Sequence, residues 1–327
     1  MIIVRSPLRI NLGGVSTDLP SYYRKHGGFL VSAAINQYVY VVLTDGFAAG
    51  IHLRHAEFEH VEAVADVRHP IIREALRLFE QAKPQVEITT FADVPGGTGL
   101  GSSGSFTTAL LRALHARHDI VADAREVAEQ ACHIEITLLG EPIGKQDQYI
   151  AALGGLTCLT FGQDGSVVDE RLAIDQATRA ALEDSILLFF TGTTRSASNI
   201  LRDQVARLES GDRALFDNLN FEMDNAFSSR DALEKGDLAE YGRLLSAHWA
   251  MKQKRSPLIS SPKIDRWYEL GLENGAFGGK LVGAGGGGFL MFCAEDKAKL
   301  RNAMRDEGLV ELEFGFDDHG TRVIAHY

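Results

Sequence analysis

The 327-residue chain is 45% hydrophobic, enough to bury the core of one large domain or of two modest ones, and two are expected at this length. Its formal charge of −11 excludes a surface built as a whole to hold nucleic acid or an anionic membrane. Three cysteines, Cys132, Cys158 and Cys293, stand far apart without CxxC spacing, which excludes a disulfide framework and a zinc knuckle and fits a reducing compartment.

The chain opens on MIIVRSPLRINLGG, whose apolar run is too short for a signal peptide. No stretch approaches the roughly 20 apolar residues of a spanning helix, so a soluble cytoplasmic protein without a membrane partner is expected. MIIVRS, QYVYVVLT and QVEITTF are rich in β-branched and aromatic residues and read as strands. PGGTGLGSSGS (95–105) follows, with five glycines that relax backbone sterics and serines that suit phosphate or a hard metal. Phe106, Leu110, Leu111 and Leu114 then fall at helical spacing, so the loop feeds a helix N-terminus, where backbone N–H groups can hold an anion. Residues 122–139 read as a second helix, GGLTCLTFG and SVVDERL as a hairpin, and SILLFFTG as a buried strand. Residues 196–255 are helical in pattern nearly throughout. Ser261 before Pro262 and a stop at Gly275 frame a further helix, and two strands flank the glycine run of GGKLVGAGGGGFLMFC. The class is α+β, with a boundary expected near 175–185, where the pattern changes.

Gly99, Gly101 and Gly104 formally match GxGxxG, the dinucleotide fingerprint. The context opposes that reading, because Asp123 and Glu126 fall in a helical pattern where an acidic residue should end a second strand. The lysine of GxxxxGK[ST] is missing, and neither HRD nor DFG occurs, so the P-loop and protein-kinase readings fail too. His133 and Glu135 mimic the HxE of zinc deaminases, but no PCxxC follows. His115 and His118 share a helix face near a C-terminus and are read as complements to its dipole.

The glycine loop resembles the second motif of the GHMP kinases, the superfamily of galactokinase and of homoserine, mevalonate and phosphomevalonate kinases. PGGTGLGSS fits Pro-x-x-x-Gly-Leu-Gly-Ser-Ser at every defined position. PLRINLGGVSTD (7–18) is similar to the galactokinase segment Arg-Val-Asn-Leu-Ile-Gly-Glu-His-Thr-Asp, and KLVGAGGGGFLMF (280–292) resembles the third motif. The resemblance implies the GHMP kinase fold: an N-terminal ATP-binding domain like ribosomal protein S5 domain 2 over 1–180, and a ferredoxin-like α/β C-terminal domain over 181–327. It also implies ATP and Mg²⁺ as cofactors.

Phosphoryl transfer leaves little covalent work for a protein, which must hold the phosphates, supply Mg²⁺ and aim the attacking hydroxyl. Gly97, Gly99, Leu100, Gly101, Ser102, Ser103 and Gly104 would hold the triphosphate. Ser103 and Glu135 would complete the Mg²⁺ site. Asp147, twelve places after Glu135 as in galactokinases, would be the general base or the acceptor that aims the hydroxyl. Arg9, nine places before Asp18, would stabilise negative charge on the attacking oxygen, and Asp18 would bind sugar hydroxyls. Lys145 would add to the positive field, and Gly285 and Gly286 would let backbone approach the sugar. The residues alone leave blander roles open: a solvated helical Glu135, Asp147 capping a neighbour from a loop, a surface ion pair for Arg9, and Asp18 capping a turn.

Val15 and Ser16 replace the Glu-His pair of galactokinases, so galactose contacts do not carry over. GGVSTD, GKQDQY, TGTTRSAS and GAFGGKLVGAGGGGF instead resemble the bacterial D-glycero-D-manno-heptose 7-phosphate kinases, with L-fucokinases as near relatives. That resemblance implies phosphorylation of the anomeric hydroxyl to give heptose 1,7-bisphosphate, on the path to nucleotide-activated heptose for surface polysaccharide. A phosphorylated substrate requires a second anion site. Thr193, Thr194, Arg195 and Ser196 open a helix, and Arg195 with Thr194 is the expected contact, with Lys252, Lys254 and Arg255 as rivals and a ligand-free helix cap as the plain alternative. The alternatives for function are an anomeric kinase of a free sugar of the fucose or galactose type and a silent sugar-sensing regulator. Residues 45–85 show no nucleotide-specific pattern, and a homo-oligomer is left open.

Overall fold

A computed structural model describes residues 1–79, 85–194 and 198–327. Two sheets form the frame. The first is built on two long antiparallel strands, β1 (Ile2–Gly13) and β2 (Gly28–Thr44), joined through the short helix α1 (Pro20–His26). Strand MIIVRS thus runs further than its composition indicates. Pro7 interrupts the pattern and sits where the β1–β2 register shifts, the position at which a sheet tolerates a residue without an N–H. Beyond it every residue of β1 is buried, because helices from both halves of the chain pack on that stretch.

Next come β3 (Ile51–Arg54), β4 (Phe58–Val61), α2 (Pro70–Leu78) and β5 (Val86–Ala92), then α3 (Ser102–Arg117), α4 (Ala124–Cys132) and α5 (Gln146–Leu153), and the hairpin β6 (Leu156–Phe161) and β7 (Val167–Arg171). The strand order is β12-β1-β2-β5-β3-β4, where β12 is Arg322–His326; one edge of β2 is shared, residues 28–33 pairing with β6 and residues 39–44 with β5.

The second half begins with α6 (Gln176–Ser185) and the predicted buried strand β8 (Ile186–Phe190), and continues with α7 (Ser198–Glu209), α8 (Arg213–Glu234) and α9 (Leu238–Gln253). The long helical segment is therefore divided twice. Each break has a sequence signal, a Gly-Asp pair: Asp212 and Asp237 cap the next helices by accepting from Leu215 N and Glu240 N. Then follow α10 (Pro262–Glu273), with Ser261 as its cap, β9 (Ala276–Leu281), β10 (Phe289–Ala294), α11 (Lys297–Asp306), β11 (Val310–Glu311) and β12 (Arg322–His326). The second sheet is antiparallel, in the order β11-β8-β10-β9.

The α+β class is as expected. The chain is nonetheless interleaved: β12 pairs with β1 in the first sheet, and one apolar core joins Leu8, Ile10 and Leu12 of β1 to Ala226 of α8, Leu245 of α9 and Met291 of β10. We keep the division into 1–180 and 181–327 as a proposal, with residues 322–326 crossing back. No helix among the described residues is long and apolar enough to cross a membrane.

Candidate active site

Arg9, on β1, organises the centre. Its Nε and Nη2 both lie 2.8 Å from Asp147 Oδ1, its Nη1 donates to the carbonyl of Gly99, and its backbone N–H donates to Leu100 O (2.9 Å). One guanidinium therefore fixes a carboxylate and the glycine loop together. Gly101 precedes α3 in the left-handed region (φ 78°) and no side chain caps the helix, so the first-turn N–H groups are left for a ligand. The loop is held from beyond by the second glycine run: a Cβ on Gly283 (φ 75°) would lie 2.5 Å from Gly99 Cα, so backbone meets backbone there.

Glu135 reaches the same cleft from a π-helical turn, His133–Leu138, which continues α4. The predicted helix 122–139 thus changes pitch where Glu135 stands. Glu135 accepts from Ser103 Oγ and from Gln148 Nε2 (3.0 Å). Burial raises its pKa, and the bonds from Ser103 and Gln148 oppose the rise. Asp147 lies in the first turn of α5, not in the loop of the blander reading; the sequence assigned no element there, because eight residues with Tyr149, Ile150, Ala151 and Ala152 all buried give no helical periodicity to read. Asp18 accepts from Gln146 N (2.9 Å), and burial pushes its pKa up to about 6, with Asp147 adding to the rise and the Gln146 N–H opposing it.

Residues 70–155 match the GHMP kinases N terminal domain and residues 229–308 the GHMP kinases C terminal domain, together just over half of the chain. The chain belongs to the GHMP kinases. It is 29% identical to D-glycero-alpha-D-manno-heptose 7-phosphate kinase of Campylobacter jejuni, over 98% of both chains. It is 29% identical over 89% of its length to the L-fucokinase/L-fucose-1-P guanylyltransferase of Bacteroides fragilis, of which it spans 34%. The crystal structure of a D-glycero-D-manno-heptose 1-phosphate kinase from Bacteroides thetaiotaomicron superposes with a TM-score of 0.82 over the whole of both chains at 24% identity, which shows the fold.

This GHMP kinase is an ATP-dependent phosphotransferase. Its cleft is lined by Arg9, Asp18, Gly97, Gly99, Gly101, Ser102, Ser103, Gly104, Glu135, Asp147 and Gly285. Other expected residues stand elsewhere. Leu100 is a core residue that offers only its carbonyl, to Arg9. Gly286 gives its N–H to Ile259 O (2.8 Å), and Thr194 is exposed; neither lines the cleft. Arg195 and Ser196 lie outside the described residues. Lys145 is held away by Glu129 (2.8 Å) and Gly165 O (2.9 Å), and Lys254 is exposed beside Met251 Sδ. His115 stands in the last turn of α3 as a buried histidine, and burial lowers its pKa.

Sequence reasoning missed several kinase residues at the cleft. Asn11 of the first motif donates to Gln146 Oε1 (2.9 Å) and accepts from Lys280 Nζ (2.8 Å). Pro70 and Ile71, at the start of α2, line the cleft from the segment that showed no nucleotide pattern; the His-Pro pair at 69–70 is the signal that could have placed that helix.

Proposed function

We propose that this kinase transfers the γ-phosphoryl group of ATP to the anomeric hydroxyl of D-glycero-D-manno-heptose 7-phosphate, giving heptose 1,7-bisphosphate for nucleotide-activated heptose. The observation that carries the chemistry is the Arg9–Asp147 pair set beside the uncapped N-terminus of α3. The substrate reading is supported by the likeness to the Campylobacter heptose 7-phosphate kinase, which spans nearly the whole of both chains.

In this reading the amides and hydroxyls of residues 97 to 104 hold the triphosphate, and no neighbouring side chain competes for the first turn of α3. Asp147 accepts the hydrogen bond of the anomeric hydroxyl, aims its oxygen at the γ-phosphorus and takes its proton as the new P–O bond forms and the bond to ADP breaks. Arg9 keeps Asp147 in place and stabilises negative charge on the incoming oxygen. Asp18 and the backbone at Gly285 orient the sugar ring. Ser103 and Glu135 fit a hard divalent cation: both offer oxygen, and the carboxylate is buried with neutral hydrogen-bond donors, Ser103 and Gln148 among them, against its charge. Mg²⁺ held there would neutralise charge on the phosphate oxygens. The cytoplasm, where ATP is available, is the proposed compartment.

Product analysis tests the reaction. After turnover with Mg·ATP and heptose 7-phosphate, ³¹P-coupled NMR should show a second phosphate ester on the anomeric carbon. A new ester on any other carbon would overturn the anomeric assignment. An anomeric kinase of a free sugar is the second reading, favoured by the L-fucokinase relative; turnover of unphosphorylated fucose would support it.

A further inference from the structure

Behind the reacting groups lies a cluster of buried cations. Lys252, in the last turn of α9, and Arg255, two residues past its end, both line the cleft, with 2% and 3% of their surfaces exposed, and Lys280 on β9 is 1% exposed. A single carboxylate answers them. Glu222 of α8 is wholly buried, with Oε1 2.7 Å from Arg255 Nη2 and Oε2 2.6 Å from His248 Nδ1. Lys252 donates to the carbonyls of Leu281 (2.9 Å) and Gly283, and Lys280 donates to Asn11 Oδ1. Neither lysine forms an ion pair with a described carboxylate. Buried charge without a counter-charge is costly, and the cost is relieved by loss of the proton or by arrival of an anion. Burial, with the neighbouring cations, depresses both ammonium groups, Lys252 strongly and Lys280 to about 7.

An independent feature points to the same place. Ser16 is a buried non-glycine residue with φ 64°, a conformation that persists only where the surroundings impose it and that gathers at ligand sites. Its Oγ donates to Gln204 Oε1 (3.3 Å) and accepts from Arg255 Nη1 (3.4 Å), and Val15, Ser16, Leu201 and Gln204 all line the cleft. Ser16 is also one of the two residues that replace the Glu-His of the galactokinase pattern.

We propose that Lys252, Arg255 and Ser16 form a subsite for a phosphate monoester already carried by the sugar, distinct from the helix N-terminus that receives the nucleotide. The proposal rests on the phosphosugar reading above. It favours Lys252 and Arg255 over Thr194, which is exposed outside the cleft, and over Lys254, which is exposed beside Met251 and does not line it.

The test compares KM for heptose 7-phosphate and for ATP in the wild type, Lys252→Met and Ser16→Gly, with the thermal shift produced by heptose 7-phosphate alone as a second readout. Losing one charged contact should raise KM for the phosphosugar at least about 10-fold in Lys252→Met and abolish the thermal shift, with KM for ATP within about 2-fold. Unchanged phosphosugar KM, or equal increases for both substrates, would overturn the subsite. Should Lys252→Met fail to fold, Ser16→Gly decides: glycine accepts the backbone angle, so a KM rise confined to the phosphosugar supports the subsite and no rise refutes it. A wild type that uses free heptose as well as heptose 7-phosphate would refute the phosphosugar reading itself, and the subsite with it.

Discussion

At the scale of single residues, the centre depends on side chains with more than one partner. The Arg9 guanidinium holds Asp147 and the Gly99 carbonyl at once, a geometry suited to a planar, multi-donor cation. Asp18 has the opposite problem, a buried carboxylate bonded chiefly by the backbone N–H of Gln146. Its pKa of about 6 in the fold lies above the ordinary carboxylate value of 3.8, so the folded state binds this proton more tightly than the unfolded chain. The resulting stabilisation is complete below about pH 4 and is lost as pH rises through 6, at a cost of about 3 kcal/mol. Two outcomes are expected for Asp18→Asn. Its stability relative to wild type should grow by up to about 3 kcal/mol between pH 4 and pH 7, measured by denaturant unfolding. The wild type's sugar kcat/KM should fall below pH 6, and that fall should be absent from the variant; a pH-independent stability difference would contradict the burial argument. Arg9, Asp18, Glu135 and Asp147 were all legible because they stand at fixed places in or near ordered motifs. Glu222 and Lys280 were not, since a glutamate in a mixed helix and a lysine before a glycine run look solvated until the partner elements are known.

At the scale of elements, the glycines matter through what lies against them. Gly104 is in the first turn of α3 with ordinary helical geometry, where Gly→Ala would by propensity stabilise by roughly 0.5–1 kcal/mol. Here the added Cβ would meet Asp147 Cβ at 2.8 Å and the backbone of Asp147 and Gln148 at 2.9 Å, so sterics decide the sign. Gly104→Ala should therefore displace α5 and lower kcat at least about 10-fold, because an ångström of misplacement is enough to lose that much alignment. A variant with unchanged kcat and a higher melting temperature would show that α5 yields freely. The glycine loop and the helix after it were readable from composition and periodicity. Helix α5 and the π-helical turn were not: one is short and buried on most sides, and the other differs from an α-helix by a change of pitch that leaves no trace in residue type.

At the scale of the whole molecule, function depends on the two halves sharing a core. The first half brings the glycine loop and the Arg9–Asp147 pair, and the second brings the Gly283 turn, Lys252 and Arg255, so the cleft exists only where they meet. The change of composition near residue 180 shows where one run of elements ends. It does not show that β12 returns to β1 or that α8 packs on both long strands, because such pairings are set by tertiary contact between segments far apart in sequence. We propose that the cleft so formed phosphorylates a sugar that already bears a phosphate. The most direct measurement is the initial rate of ADP formation with Mg·ATP on mannoheptose, mannose, galactose and fucose, each offered free and with its terminal carbon phosphorylated, with Asp147→Asn as control. Heptose 7-phosphate should give the highest kcat/KM, with kcat at least about 100-fold lower in the control; equal or faster turnover of a free sugar, or an Asp147→Asn enzyme as fast as wild type, would contradict it.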